Sequence, residues 1–280
     1  MTTSKNTQLV NGVEIAYDEV GSGPVVVLLH GYPFNRSLWR DQVTVLQQDH
    51  RVIIPDLRGH GESAVVPGPS TMELMAGDVA GLLDTLNIAQ ATIGGLSMGG
   101  YVALAFYRLF PLQVRSLILS ATRAQGDNDE AKRNRKVQAT KARQEGMEGI
   151  ADTLLPKMLT AETVTRRPEI VKRLRGMMAS TNPEGAAAAL EGMAIRQDQT
   201  SFLSQIVAPT LIMVGSEDAI TPPADAELMH SKIAGSRLEI IKGAGHVLNL
   251  EKPEAFNATV ASFLNSSDSG LKTQVLSLGS

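Results

Sequence analysis

Six short apolar runs, rich in β-branched residues, recur along the chain, each ending in glycine or a polar loop: "VVVLLHG", "RVIIPDLRGHGES", "ATIGGLS", "VRSLILSAT", "PTLIMVGSED" and "SRLEIIKGAGH". Runs this short with no polar alternation read as strands buried on both faces, the habit of parallel sheets. Helical patterns separate most of them, over Thr71 to Leu86, Met98 to Leu109 and Ala224 to Ile233, and a last one covers Pro253 to Leu264. Strands alternating with helices make βαβ units, so the expected class is α/β with a mostly parallel sheet. The opening "QLVNGVEIAYDEVGSGP" differs. Its Asn-Gly pair between two alternating segments predicts an antiparallel hairpin at one sheet edge.

From about Arg123 to Thr200 no strand pattern occurs, and every segment reads as helix. Asn182-Pro183-Glu184 has the residue types of an N-cap, N1 and N2. A helical insertion between two strands of an open sheet is most simply a lid. The expected organisation is therefore a core of residues 1–121 and 204–265, a lid of residues 122–203, and a flexible tail of residues 266–280, which is Ser/Gly-rich and unpatterned. The lid carries a net charge of +3 and the remainder −6. That asymmetry could favour an anionic substrate, although a solvated helix face gives the same count.

The glycine-crowded stretch "IGGLSMGGY" is the densest chemical signal. A phosphate-binding G-x-x-x-x-G-K-[ST] loop fails for want of the Lys, and G-x-G-x-x-G fits in no register. G-x-S-x-G does fit, over Gly95 to Gly99, between an expected strand and an expected helix. That is the setting of a nucleophile elbow, a tight turn that presents its serine, here Ser97, in a strained conformation of positive φ. Small neighbours on either side let strand and helix approach, which accounts for Gly95 and Gly99. Gly100 is accounted for only if it relieves packing against a neighbouring strand.

A serine hydroxyl needs a base, because it is protonated at neutral pH. In elbow enzymes the chain order is serine, acid, histidine, so only His230 and His246 qualify. His230 falls inside a helical pattern. His246 follows a strand in the Gly-flanked loop "KGAGHVLN", where the active-site residues of an open α/β sheet converge, and it is the expected base. The acid that orients it should follow an intervening strand, where "PTLIMVGSEDAITPP" offers Asp218, the choice here, and Glu217 as the alternative. Oxyanion donors are expected from the backbone N–H of Met98, directly after the serine, and of Tyr32 in "HGYPF". His30 and His60 are expected to brace their turns rather than to act. The five histidines show no metal-ligand spacing, and no metal site is expected.

Together, "LLHGYPFNRSLW", "VIIPDLRGHGES", "GLSMGGYVALAF", "PTLIMVGSEDAITPP" and "GAGHVLNLEKPEAF" resemble the α/β-hydrolase superfamily, in its order, up to about Leu264. Within it the chain is similar to small carboxylesterases and the 3-oxoadipate enol-lactonase-like group. The resemblance implies the triad Ser97, Asp218 and His246, the oxyanion amides of Tyr32 and Met98, and no cofactor. It implies a serine hydrolase for small to medium carboxylic esters or lactones. Lactonase, peracid-forming or C–C hydrolase chemistry on the same triad stays open, as does a ligand-binding receptor of low turnover. The dehalogenase branch has Asp where this chain has Ser97, which argues against that activity.

Of the five methionines in the expected lid, most should pack helices, while Met147 and Met158 are candidates for lining an acyl pocket. Arg123, just after a strand, is a candidate for contacting a substrate carboxylate or pairing with a lid acid. Charge and composition set the remaining bounds. A net charge of −3 gives no basic field for nucleic acid, and the absence of cysteine excludes disulfides and a thiol nucleophile. The polar start and the shortness of the run Val25 to Leu29 predict a soluble, cytoplasmic protein that does not enter membranes.

Overall fold

The computed structural model describes residues 4–277, and side chains over residues 6–267. The elements run β1 Ser4–Val10, β2 Val13–Val20, β3 Val25–Leu29, α1 Arg40–Leu46, β4 Arg51–Pro55, α2 Met72–Thr85, β5 Ala91–Leu96, α3 Met98–Leu109 and β6 Val114–Ser120. After β6 come five helices in succession: α4 Asp129–Glu145, α5 Glu148–Met158, α6 Ala161–Arg166, α7 Pro168–Ala179 and α8 Pro183–Ala194. The chain then returns through β7 Thr210–Gly215, α9 Pro223–Lys232, β8 Arg237–Ile241, the short α10 Leu248–Glu251 and α11 Pro253–Ser277. Helical backbone thus continues past Leu264, where the sequence pattern stops. The expected tail begins at residue 266, and most of it lies outside the described side chains.

One eight-stranded sheet has the order β1-β2-β4-β3-β5-β6-β7-β8. The β1–β2 hairpin turns at Asn11 and Gly12, both with positive φ, and β1–β2 and β2–β4 pair antiparallel. Every other pairing is parallel. Successive side chains of a strand point to opposite faces, and both faces are covered. Val26 and Leu28 pack with Leu38, Trp39 and Phe256 on one side, whereas Val27 and Leu29 pack with Leu82, Val102 and Phe106 on the other. This two-sided burial is why β3 reads as an unbroken apolar run.

The inserted helices pack mainly on each other, α4 on α8 and α5 on α7. Asn182 caps α8 as its sequence predicts, its Oδ1 accepting from the N–H of Glu184 at 2.9 Å and of Gly185 at 3.3 Å, with Pro183 in the first turn. Bonds to the core fix the insertion over the carboxyl edge of the sheet. The Thr181 hydroxyl donates to Pro33 O at 2.8 Å, and the amide of Ser70 donates to Ala188 O at 2.9 Å. Among the described residues no helix is long and apolar enough to cross a membrane.

Candidate active site

The loops after β3, β5, β7 and β8 meet at the carboxyl edge of the sheet beneath the insertion. Ser97 sits between β5 and α3 at φ 56° and ψ −114°. A conformation like this costs on the order of 1–3 kcal/mol and persists only when its surroundings enforce it. Here they do. The Ser97 N–H donates to Ser120 O at 2.9 Å, and its carbonyl accepts from the N–H of Gly100 at 2.9 Å and the hydroxyl of Thr122 at 2.8 Å. A Cβ on Gly99 would land on the carbonyls of Leu29 and His30, and one on Gly95 would land on that of Gly99. Gly100 faces the Thr122 side chain just beyond β6. Its small size is needed for that close approach.

His246 follows β8 and is 1% exposed. Its Nδ1 lies 2.9 Å from Asp218 Oδ2 and 3.0 Å from Oδ1. Donation from Nδ1 to this carboxylate leaves Nε2 as an acceptor, and that atom is buried without a hydrogen-bond partner. Asp218 also accepts from the amides of Ile220 and Thr221, both at 2.9 Å, and from the Thr221 hydroxyl at 2.8 Å. Burial by itself would push the Asp218 carboxyl up, but His246 and the Thr221 donors outweigh it and hold the group below the usual carboxylate range. Glu217, the alternative acid, is exposed, and His230 lies on α9, its Nδ1 2.9 Å from the Ser236 hydroxyl.

The loop after β3 runs beside the elbow. A Cβ on Gly31 would stand 3.2 Å from that of Ser97. Tyr32 follows Gly31, and Met98 opens α3, where first-turn N–H groups have no acceptor inside the helix. Behind this loop His30 accepts from the Leu57 amide at Nε2 (3.0 Å) and reaches Gly31 O from Nδ1 (3.0 Å). Burial pushes His30 down to about 4. His60, whose ring centroid is 5.1 Å from that of His30, is pushed down to about 3, chiefly by burial. Both are neutral braces. The Tyr32 hydroxyl is buried without a partner, and burial pushes it above its ordinary range.

Ser97, His246 and Tyr32 share one cavity of about 280 Å³. The insertion supplies its opposite wall: Ala131, Arg135 and Gln138 from α4, Lys157 and Met158 from α5, and Met193 from α8. Arg135 and Lys157 are the formal charges on that wall, and no Asp or Glu lines it. Arg135 pairs with Asp127, which also takes Arg196 at 2.6 Å, and Arg196 is attracted to Asp198 as well.

Two expected pocket residues stand elsewhere. Arg123 pairs with Asp225 on α9 at 3.4 Å and bonds Ile220 O. Its charge is thus met by the core, neither by an insertion acid nor at the cavity wall. Met147 is buried in the core cluster with Ala139 and Ala142, while Met158 does line the cavity. Met193, one of the five methionines of the insertion, lines the cavity too, whereas nothing in the sequence marks Arg135 and Lys157 as pocket residues. The spacing of Ala131, Arg135 and Gln138 puts them on one helix face, and the positive charge of the insertion is the one sequence hint of Arg135 and Lys157. Among the described residues no group of three or more His, Asp or Glu could hold a metal ion.

The model of the alpha/beta hydrolase fold family matches residues 24–253. The chain belongs to this family. It is 33% identical over 258 residues to 3-oxoadipate enol-lactonase 2 of Acinetobacter baylyi, covering 91% of this chain and 95% of the relative. A thermophilic esterase from Thermogutta terrifontis, solved with malate bound, superposes with a TM-score of 0.92 at 41% identity, covering 94% of this chain and 99% of that one. The enol-lactonase from Burkholderia xenovorans LB400 superposes with a TM-score of 0.88 at 35% identity, covering 93% and 100%. An alpha/beta hydrolase of the enol-lactonase and esterase group, acting on ester or lactone bonds, is the class these relatives support.

Proposed function

We propose that the protein is a serine hydrolase that cleaves small to medium carboxylic esters or lactones through an acyl-enzyme on Ser97. One observation carries the reading: His246, with a buried, unpartnered Nε2 and Asp218 at its Nδ1, lines the same cavity as the strained Ser97. His246 takes the proton of Ser97 Oγ as that oxygen attacks the carbonyl carbon. The amides of Tyr32 and Met98 hold the resulting oxyanion. Collapse breaks the bond to the alkoxy oxygen, which leaves with the proton from His246. Water, deprotonated by His246, then attacks the acyl carbon, and the acid departs as Ser97 regains its proton. In a lactone the leaving alkoxy oxygen stays on the same carbon chain as the acyl group, so acylation releases nothing and the second step releases a single hydroxy acid.

Hydrolysis of a short-chain p-nitrophenyl ester by wild type and Ser97→Ala tests the reading. A loss of about 10³-fold or more in kcat is expected in the variant. Full activity in Ser97→Ala overturns the mechanism, and absence of turnover in wild type favours a binding protein of the same fold. His246→Ala should behave as Ser97→Ala does, and His230→Ala as wild type. The reverse result moves the base to His230.

The cationic wall favours a narrower substrate class, in which the acyl group ends in a carboxylate facing Arg135 and Lys157. A half-ester of a dicarboxylic acid should then have a higher kcat/KM than the uncharged ester of equal length, by about 5–10-fold at low salt. Arg135→Gln and Lys157→Gln should each shrink that preference. Equal rates for the two esters rule out the narrower class and leave the acyl-enzyme reading intact.

A further inference from the structure

The cavity, the ion pairs of Asp127 and the braced His30–His60 pair belong to the site already described, and a further buried carboxylate touches it from behind. Glu251, at the end of α10, is 3% exposed, and among the described residues no cation pairs with it. Three donors satisfy it instead. The amide of Thr160 donates to Oε1 at 2.8 Å and the Thr160 hydroxyl at 3.0 Å, while the amide of Gly245 donates to Oε2 at 2.6 Å. Thr160 belongs to the insertion, between α5 and α6, and Gly245 immediately precedes His246. The same two segments meet again where the His246 amide donates to Met158 O at 3.0 Å.

We infer that Glu251 is a positioning residue for His246: it clamps the histidine loop to the 158–160 segment of the insertion and so sets where Nε2 stands relative to Ser97. The inference rests on the reading of His246 as the base. A carboxylate suits the task because it has acceptor sites only, and every group facing it is a donor. An amide in its place must turn an NH₂ toward one of these donors, which removes a bond and sets two donors against each other. There is no slack to absorb the change, since a Cβ at Gly245 would stand 2.9 Å from Glu251 Oε2 and 3.0 Å from Met158 O. Met158, which lines the cavity, therefore belongs to the same segment that is bonded to the histidine loop.

Glu251→Gln, with Thr160→Val as a milder variant that keeps the amide donor and shape, tests the clamp. The readouts are kcat, KM, Tm and the rate at which a fluorophosphonate labels Ser97, each referred to the folded fraction. The expected result is a kcat lowered at least 10-fold in Glu251→Gln and 2–5-fold in Thr160→Val, with KM within twofold of wild type and labelling slowed in step. Wild-type kcat in the folded fraction of both variants overturns the inference, as does a change confined to KM. Failure of wild type to be labelled at all counts instead against the acyl-enzyme reading, because wild type has Glu251 in place and its labelling tests Ser97 and His246 alone.

Discussion

The two walls of the cavity are built on different physical terms. The sheet-side wall, with Ser97, His246 and Tyr32, is held by backbone crowding, where Gly95 and Gly99 leave no space for a methyl group. The insertion wall, with Arg135, Lys157, Met158 and Met193, is made of side chains projecting from helices. Surface ion pairs such as those of Arg143 with Glu184 and Glu191 join those helices to one another. The backbone around Ser97 is fixed where main chain touches main chain, whereas the insertion wall is built from positions that can change residue by residue. Four substitutions or conditions can break or sharpen this contrast.

The largest effect is expected at Gly99, where a Cβ would collide with the Leu29 and His30 carbonyls. Gly99→Ala should give little folded protein and no measurable hydrolysis, read by circular dichroism and ester assay. A folded, active variant would remove backbone crowding as the basis of the sheet-side wall. Next is Asp218→Asn, which keeps the shape of the acid but leaves the imidazole without its charge partner. The expected loss is about 10³–10⁴-fold in kcat with Tm little changed.

A third expectation concerns pH. His30 and His60 are held neutral at about 4 and about 3, whereas in the unfolded chain both titrate near the ordinary value of 6.5. As pH falls below 6.5 the unfolded chain binds protons that the folded chain refuses, so unfolding becomes more favourable. Stability should decline from about pH 6.5 down toward 4, by roughly 3 kcal/mol from His30 alone. Denaturant unfolding at pH 7 and pH 4.5 measures this, and equal stability at the two values contradicts it. The smallest effect belongs to the other wall. Arg143→Gln breaks exposed ion pairs and should leave Tm within about 2 °C of wild type.

The same division governs what could be read from the sequence. The strands were legible because burial on both faces leaves no charged residue in β3 or β7 and only Thr210 as a polar one. The edge hairpin was legible from Asn11 and Gly12, whose positive φ few other residue pairs tolerate. Ser97, Asp218 and His246 could be named because each sits in a short loop just after a strand, so local pattern fixes its place in the fold. Arg135 and Lys157 could not, since helical periodicity says which residues share a face but not which face meets the cavity. Arg123 was singled out for its place after β6, but its partner Asp225 comes from α9, far along the chain. Glu251 lay within a quoted motif, yet its role depends on Thr160 in the insertion, a pairing that sequence spacing does not encode.

The central claim, that His246 activates Ser97, is tested most directly by mass spectrometry of the protein after reaction with a fluorophosphonate. The account predicts one phosphonyl group per chain, on Ser97, with hydrolysis lost in proportion, no adduct in Ser97→Ala, and labelling slowed by about 10³-fold in His246→Ala. Ester hydrolysis that continues after stoichiometric labelling, or an adduct carried by another residue, would contradict it.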